Sequence, residues 1–137
     1  MLAPADAGVV SVRDGLSDNR PWVETNPAEP AGNHVILDLG HTEYAVLAHF
    51  QRGSIRVAEG GRVHAGDILG LCGNSGNSSE PHVHFHVQDK PTFFADGAVG
   101  IPVRFGRFLA DGVPSHKATP TSGQFLTADV SANAGRP

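Results

Sequence analysis

The run Pro81-His82-Val83-His84-Phe85-His86-Val87 holds the densest chemistry in the chain. Its alternation predicts one β-strand, with His82, His84 and His86 on one face and Val83, Phe85 and Val87 on the other. A strand rises ~3.3 Å per residue, so adjacent histidines on that face stand ~6.6 Å apart along the backbone. Imidazole is a common ligand for transition metals and the usual general base near neutral pH. Two at this spacing can divide the work: one holds a metal, and its neighbour moves a proton of the water that the metal acidifies. An isolated His-x-His reads first as the solvated face of a sheet. Here the strand follows Cys72-Gly73-Asn74-Ser75-Gly76-Asn77-Ser78-Ser79-Glu80. A loop rich in glycine and serine permits unusual backbone angles and offers small polar groups, as the lining of a site does.

The elements that must hold these histidines are short strands. Among 137 residues, 17 glycines and 10 prolines are too many for long helices, while 39% hydrophobic residues are enough for one core. The expectation is therefore an all-β domain. Val9 to Val12 reads as a first strand, closed by a turn at Asp14-Gly15. Residues 14–33 read as a long surface loop pinned to the core by Trp22. Asn33 to Leu39 and Tyr44 to Phe50 read as a hairpin around residues 40–43. If Leu39 pairs with Tyr44, His34 lies opposite His49 and Asp38 opposite Ala45. His34 could then assist a site at that end, although a polar residue at a strand start is the preferred reading. Residues 54–70 read as short strands with glycine turns, with His64 exposed at one of them. Phe93, Phe94, Ile101, Val103, Phe105 and Phe108 are further apolar anchors. Ile101, Val103 and Phe105 suit an edge strand that tolerates Pro102. The core is placed at 1–110. Residues 111–137 are read as a loosely ordered tail with one short strand near Gln124-Phe125-Leu126.

Charge and cysteine content exclude several classes. The net charge is −4 and the ten basic residues form no cluster, so neither a nucleic-acid footprint nor a polybasic membrane anchor is expected. No apolar run is long enough to span a bilayer, and the first residues lack the pattern of a signal peptide. Cys72 is the one cysteine, which excludes an intrachain disulfide; within Ile68-Leu69-Gly70-Leu71-Cys72 it reads as a buried, inert thiol. The valine and glycine pattern of Val57 to Gly70 also occurs in lipoyl and biotinyl carriers. The lysines, Lys90 and Lys117, lie at no hairpin tip of that kind. A phosphocarrier domain uses two histidines, but not as His-x-His.

Three segments together resemble the lysostaphin/LytM family of zinc endopeptidases. They are Gly32-Asn33-His34-Val35-Ile36-Leu37-Asp38, then Leu47-Ala48-His49-Phe50, then Gly73-Asn74-Ser75-Gly76 leading to His82-Val83-His84-Phe85. Val57, Gly60, Val63, Gly66 and Gly70 match the connecting strands, and the likeness runs from about Ala3 to Gln88. The resemblance implies a compact β-sandwich of the duplicated hybrid motif type, extracytoplasmic action, and cleavage of peptides in bacterial peptidoglycan. It implies that His84 is a zinc ligand and that His49 and His82 are the catalytic pair, with His86 behind them or facing substrate. In the family, a histidine and an aspartate of an early motif supply the other two zinc ligands. That motif precedes the segment resembling Leu2 to Val10, and only Met1 precedes it here. The expectation is weak zinc binding and little peptidase activity for this chain. A non-catalytic module that binds cell-wall peptide or regulates a partner hydrolase is the alternative. Loss of an N-terminal strand would open a sheet edge, which pairing with a second copy could cover.

Overall fold

The computed structural model describes residues 1–93 and 95–129. Among these there is no helix. The strands are β1 (Ala7–Arg13), β2 (His34–Gly40), β3 (Glu43–Ala48), β4 (Arg62–Val63), β5 (His84–Gln88), β6 (Gly100–Ile101), β7 (Phe105–Ala110), β8 (Val113–Ala118) and β9 (Leu126–Thr127). Every pairing is antiparallel, as an all-β fold built of hairpins requires. The chain forms two compact units, Met1–Ile101 and Pro102–Pro137.

The first unit contains a six-stranded sheet in the order β4-β1-β2-β3-β5-β6. Its register sorts the side chains. Val35, Leu47 and Phe85 form one row, and Val9, Leu37, Ala45, Val87 and Ile101 form the next on the same face. Most of these are buried. The opposite face carries the row Arg13, His34, Ala48, His84 and the row Ser11, Ile36, Val46, His86. Ile36, Val46 and Ala48 are buried as well. β2 and β3 are thus apolar on both faces, which is why they read as continuous runs rather than alternating ones.

The β2–β3 turn changes the expected register. His41 (φ 54°) and Thr42 (φ 60°) both take left-handed backbone, the requirement of a tight two-residue hairpin loop. Gly40 pairs with Glu43 and Asp38 with Tyr44, so Leu39 is the extra residue of a bulge. That slip puts Ala48, not His49, opposite His34.

Other expectations are also corrected. The β5 strand starts at His84, so His82 lies just before it. Trp22 is 72% exposed. The 14–33 loop is held instead by polar bonds to the 74–79 loop: Asn19 Nδ2 to the Gly76 carbonyl (2.7 Å), Asn26 N to the same carbonyl (2.9 Å) and Trp22 N to the Ser79 carbonyl (2.7 Å). Cys72 is exposed, because only Leu69 and Gly70 of its apolar run turn inward while Ile68 and Leu71 face solvent. The outer edge of β1 takes partners from its own chain: β4 at Ala7 and Gly8, the Gly60–Gly61 turn at Val9, and Glu59 Oε1 at Val12 N.

The second unit is a three-stranded sheet in the order β8-β7-β9. Ile101 belongs to β6 and Phe105 to β7, so the single edge strand expected across Pro102 is divided between two units. The 110/111 boundary falls in the turn of the β7–β8 hairpin, where Asp111 (φ 51°) and Gly112 (φ 79°) close the loop. Strand β8 occupies the start of the expected tail, and β9 overlaps the short strand expected there at Leu126. Phe94 and residues 130–137 lie outside the described residues.

Candidate metal and catalytic site

His49, His82 and His84 come together. Each offers one ring nitrogen, and the three nitrogens lie within 4.8 Å of one another. The His49 and His82 rings are 4.7 Å apart at their centroids, and His49 and His84 are 5.6 Å apart. Strand alternation alone would not do this. Ala48 shares the face of His84, so a continuing strand would send residue 49 to the opposite face. His49 instead adopts φ 64° and turns back toward His84. Left-handed backbone at a non-glycine residue is costly and persists only where its surroundings impose it. Here they do: His49 N donates to the Ala31 carbonyl (3.1 Å), and the His49 carbonyl accepts from Gly73 N (3.0 Å).

The glycine-rich loop is the clamp. Asn33, fully buried, receives Leu16 N on Oδ1 (2.9 Å) and donates Nδ2 to the carbonyls of Leu16 (2.8 Å) and Phe50 (3.0 Å). Its own N–H donates to Ser75 Oγ (2.9 Å), which donates in turn to the Phe50 carbonyl (2.8 Å). Gly32 (φ 60°) passes so close to Ser75 that a Cβ there would strike the Ser75 backbone. The Ser75 carbonyl accepts from His49 Nδ1 (2.8 Å). A carbonyl only accepts, so Nδ1 carries the proton and Nε2 keeps its lone pair. His82 is set the same way: Nδ1 donates to the Glu80 carbonyl (2.9 Å), with Ser78 Oγ at 3.2 Å. His84 differs. Its Nε2 is engaged by His86 Nδ1 (2.9 Å), leaving Nδ1 for the cluster.

Burial pushes the His84 imidazole down to about 4, helped by His86, His49 and His82 beside it. Burial also lowers His49, against the bond to Ser75, which raises it, with His82 adding to the lowering. Both rings are therefore uncharged at neutral pH, the form that coordinates metals and accepts protons.

His34 does not join the cluster. Its Nδ1 donates to the Gly32 carbonyl (2.8 Å), and its ring faces Phe93 at 6.2 Å. Phe93 also stands 6.3 Å from His84 and 5.9 Å from His86, between the cluster and His34. A groove of about 650 Å³, lined in part by Ser11, Gly32, His34, Ile36 and Phe93, runs beside it. Gln88 and Phe93 had no part in the sequence reading of the site, and Ser75 entered it only as a member of the glycine- and serine-rich loop. The signal for Ser75 was its glycine-flanked position; for the other two there was none, since their roles depend on a turn after β5.

The described residues of an all-β unit thus gather three metal-competent imidazoles at one point. The chain belongs to Peptidase family M23, a zinc-dependent family of LytM type, whose model matches residues 1–95. It is 43% identical over 61 residues to Endolysin 2638A of Staphylococcus phage 2638A, covering 44% of this chain. It is 35% identical over 57 residues to the peptidoglycan DD-endopeptidase ShyA of Vibrio cholerae, covering 42% of this chain. The matched stretches span 12% and 13% of those proteins. Among solved structures, a zinc-containing peptidase from Vibrio cholerae aligns with TM-score 0.46 and 25% identity over 61% of this chain and 21% of that one. The catalytic domain of the prophage-encoded M23 protein EnpA from Enterococcus faecalis, in a variant form, aligns with TM-score 0.41 and 30% identity over 63% of this chain and 62% of that one.

The residues present fit zinc in chemistry. Two nitrogens each ~2.1 Å from a tetrahedral zinc lie ~3.4 Å apart, so nitrogens as far apart as 4.8 Å would have to draw in by about 1.4 Å to share one metal.

Proposed function

We propose that this domain is a LytM-type zinc peptidase module directed at the peptides of bacterial cell-wall peptidoglycan, and that the chain of 137 residues cuts them weakly. The convergence of His49, His82 and His84 carries this reading, and the named activities of the phage endolysin and the Vibrio cholerae endopeptidase support the substrate class. His84 would hold zinc through Nδ1. When bound, zinc supplies Lewis acidity at the scissile carbonyl and a more acidic water. His82 is exposed and presents Nε2 to solvent, so it takes the proton from the attacking water and returns it to the leaving amine. His49 is buried and aimed by Ser75, so its Nε2 lone pair accepts a hydrogen bond from the attacking water and orients it. Activity is low because the cluster holds no carboxylate among the described residues, so one ligand alone grips the metal while two imidazoles stay free.

The test is zinc titration of the purified chain, with cleavage of peptidoglycan and glycine-rich peptides followed with and without zinc. The expected result is loose zinc binding and slow, zinc-dependent cleavage abolished in His82→Ala. Cleavage that survives chelation would overturn the reading.

A second reading is a module that binds without cutting. The absence of a carboxylate from the cluster among the described residues favours it, because a metal held by all three imidazoles would occupy both proton carriers. Then His49→Ala and His82→Ala would each weaken zinc binding as much as His84→Ala, and no variant would cleave.

A further inference from the structure

Behind His84 stands a chain of side chains that neither the match to the family nor the cluster itself assigns. His84 Nε2 meets His86 Nδ1 at 2.9 Å, and His86 Nε2 meets Gln88 Oε1 at 2.9 Å. Gln88 is buried, and its Nε2 donates to the carbonyls of Lys90 (2.8 Å) and Thr92 (3.0 Å). These three side chains project from alternate positions of β5 onto the cluster face, which is why they can touch in series.

We propose that Gln88 and His86 are positioning residues that set the tautomer of His84, so that its Nδ1 is the nitrogen presented to a metal. The direction of every bond follows from the turn at 90–92. Backbone carbonyls only accept, so both hydrogens of the Gln88 amide are committed to Lys90 and Thr92. Its Oε1 must then face His86 and can only accept. His86 therefore donates from Nε2, and its neutral ring keeps the lone pair on Nδ1. The remaining contact must be donated by His84 from Nε2, which leaves Nδ1 of His84 without a proton. A flipped Gln88 amide would reverse the chain, and two carbonyls forbid the flip. The same turn carries Phe93, which packs near the rings of both His84 and His86, so one local structure fixes ring orientation and proton location together. An outer hydrogen-bond partner of this kind typically contributes 10- to 100-fold in metal affinity. The inference rests on the proposed function only in taking a metal as the user of that lone pair.

The experiment reads protons directly. The chain carrying 15N-labelled histidine is examined without metal by long-range proton–nitrogen NMR near pH 7.5. The expected spectrum shows the proton on Nε2 in His84 and His86, and on Nδ1 in His49 and His82. A His84 ring with its proton on Nδ1 overturns the proposal, with no mutant needed. Gln88→Leu removes the acceptor; His84 should become a mixture of tautomers, and zinc affinity should fall about 10- to 100-fold. Gln88→Glu keeps an acceptor for His86 but loses both donors to the turn; it should retain the His84 tautomer. If it scrambles His84 as fully as Gln88→Leu does, the residue acts only by holding the turn, and the proposal fails. The two ideas fail separately. A chain that binds no zinc yet shows Nε2–H on His84 sinks the proposed function alone, and tight zinc binding with Nδ1–H on His84 sinks this inference alone.

Discussion

His49 and His82 hang from irregular backbone and are each oriented by one main-chain carbonyl, Ser75 and Glu80. His84 stands on a regular strand and is oriented by side chains, His86 and Gln88. The two supports deliver opposite ring nitrogens, Nε2 from the loops and Nδ1 from the strand, to one point. A carbonyl clamp depends on where the backbone runs, so it is as strong as the loop packing beneath it. A side-chain relay depends on residue identity, so it is broken by single substitutions that leave the backbone alone. The loop support should therefore fail through stability and the strand support through affinity.

The largest effect is expected where the loop backbone is closest-packed. Gly32→Val places a branched side chain at φ 60° against the Ser75 backbone. It should destabilise the protein by about 3–5 kcal/mol. Urea unfolding monitored by circular dichroism measures this; an unchanged midpoint would show that the 29–33 and 73–78 loops do not hold each other. Next, His84→Ala should weaken zinc binding by more than the roughly 10- to 100-fold that loss of its outer partners causes, with a smaller change in unfolding midpoint than Gly32→Val. Calorimetric titration checks it, and equal losses in His49→Ala would favour the three-imidazole reading.

Acid should act on the strand support. The folded-state imidazole of His84 lies at about 4, below its ordinary 6.5, so the unfolded chain binds the proton more readily between these values. The neutral ring's contribution is fully present above about pH 6.5 and is lost as pH falls toward 4. The melting temperature should drop across that window, and the drop should be shallower in His84→Ala. Equal slopes in the two proteins would remove His84 as the cause. The smallest effect is expected at Ser78→Ala. It removes the Ser78 Oγ bond to Asn74 Oδ1 (2.6 Å) but leaves the Glu80 carbonyl on His82. A loss of about 1 kcal/mol in unfolding free energy is expected, with the His82 tautomer unchanged by NMR.

Much of this could be read from the amino-acid order, because strand geometry is local. The period of two puts His84 and His86 on one face in any strand that residues 84–88 form, and the structure has that face. Two apolar runs around a short polar turn specify the β2–β3 hairpin. The resemblance to the LytM family, carried by the spacing of three segments, led to the family that the chain belongs to. Local rules stopped at the strand ends. The bulge at Leu39 moved His34 from His49 to Ala48 by one residue, a slip that alternation cannot foresee because both faces of β2 and β3 are apolar. Burial was misjudged at Trp22 and Cys72 because exposure depends on what else covers a side chain, and nothing adjacent in sequence says so. His49 faces His84 only because Ala31 and Gly73 hold its backbone left-handed, and Gln88 aims a relay only because a turn two residues later offers two carbonyls. The sequence alone determined which residues alternate and which chemistry they carry. The direction in which each imidazole points was decided by hydrogen bonds closed in three dimensions, since a ring nitrogen takes its role from the group it meets.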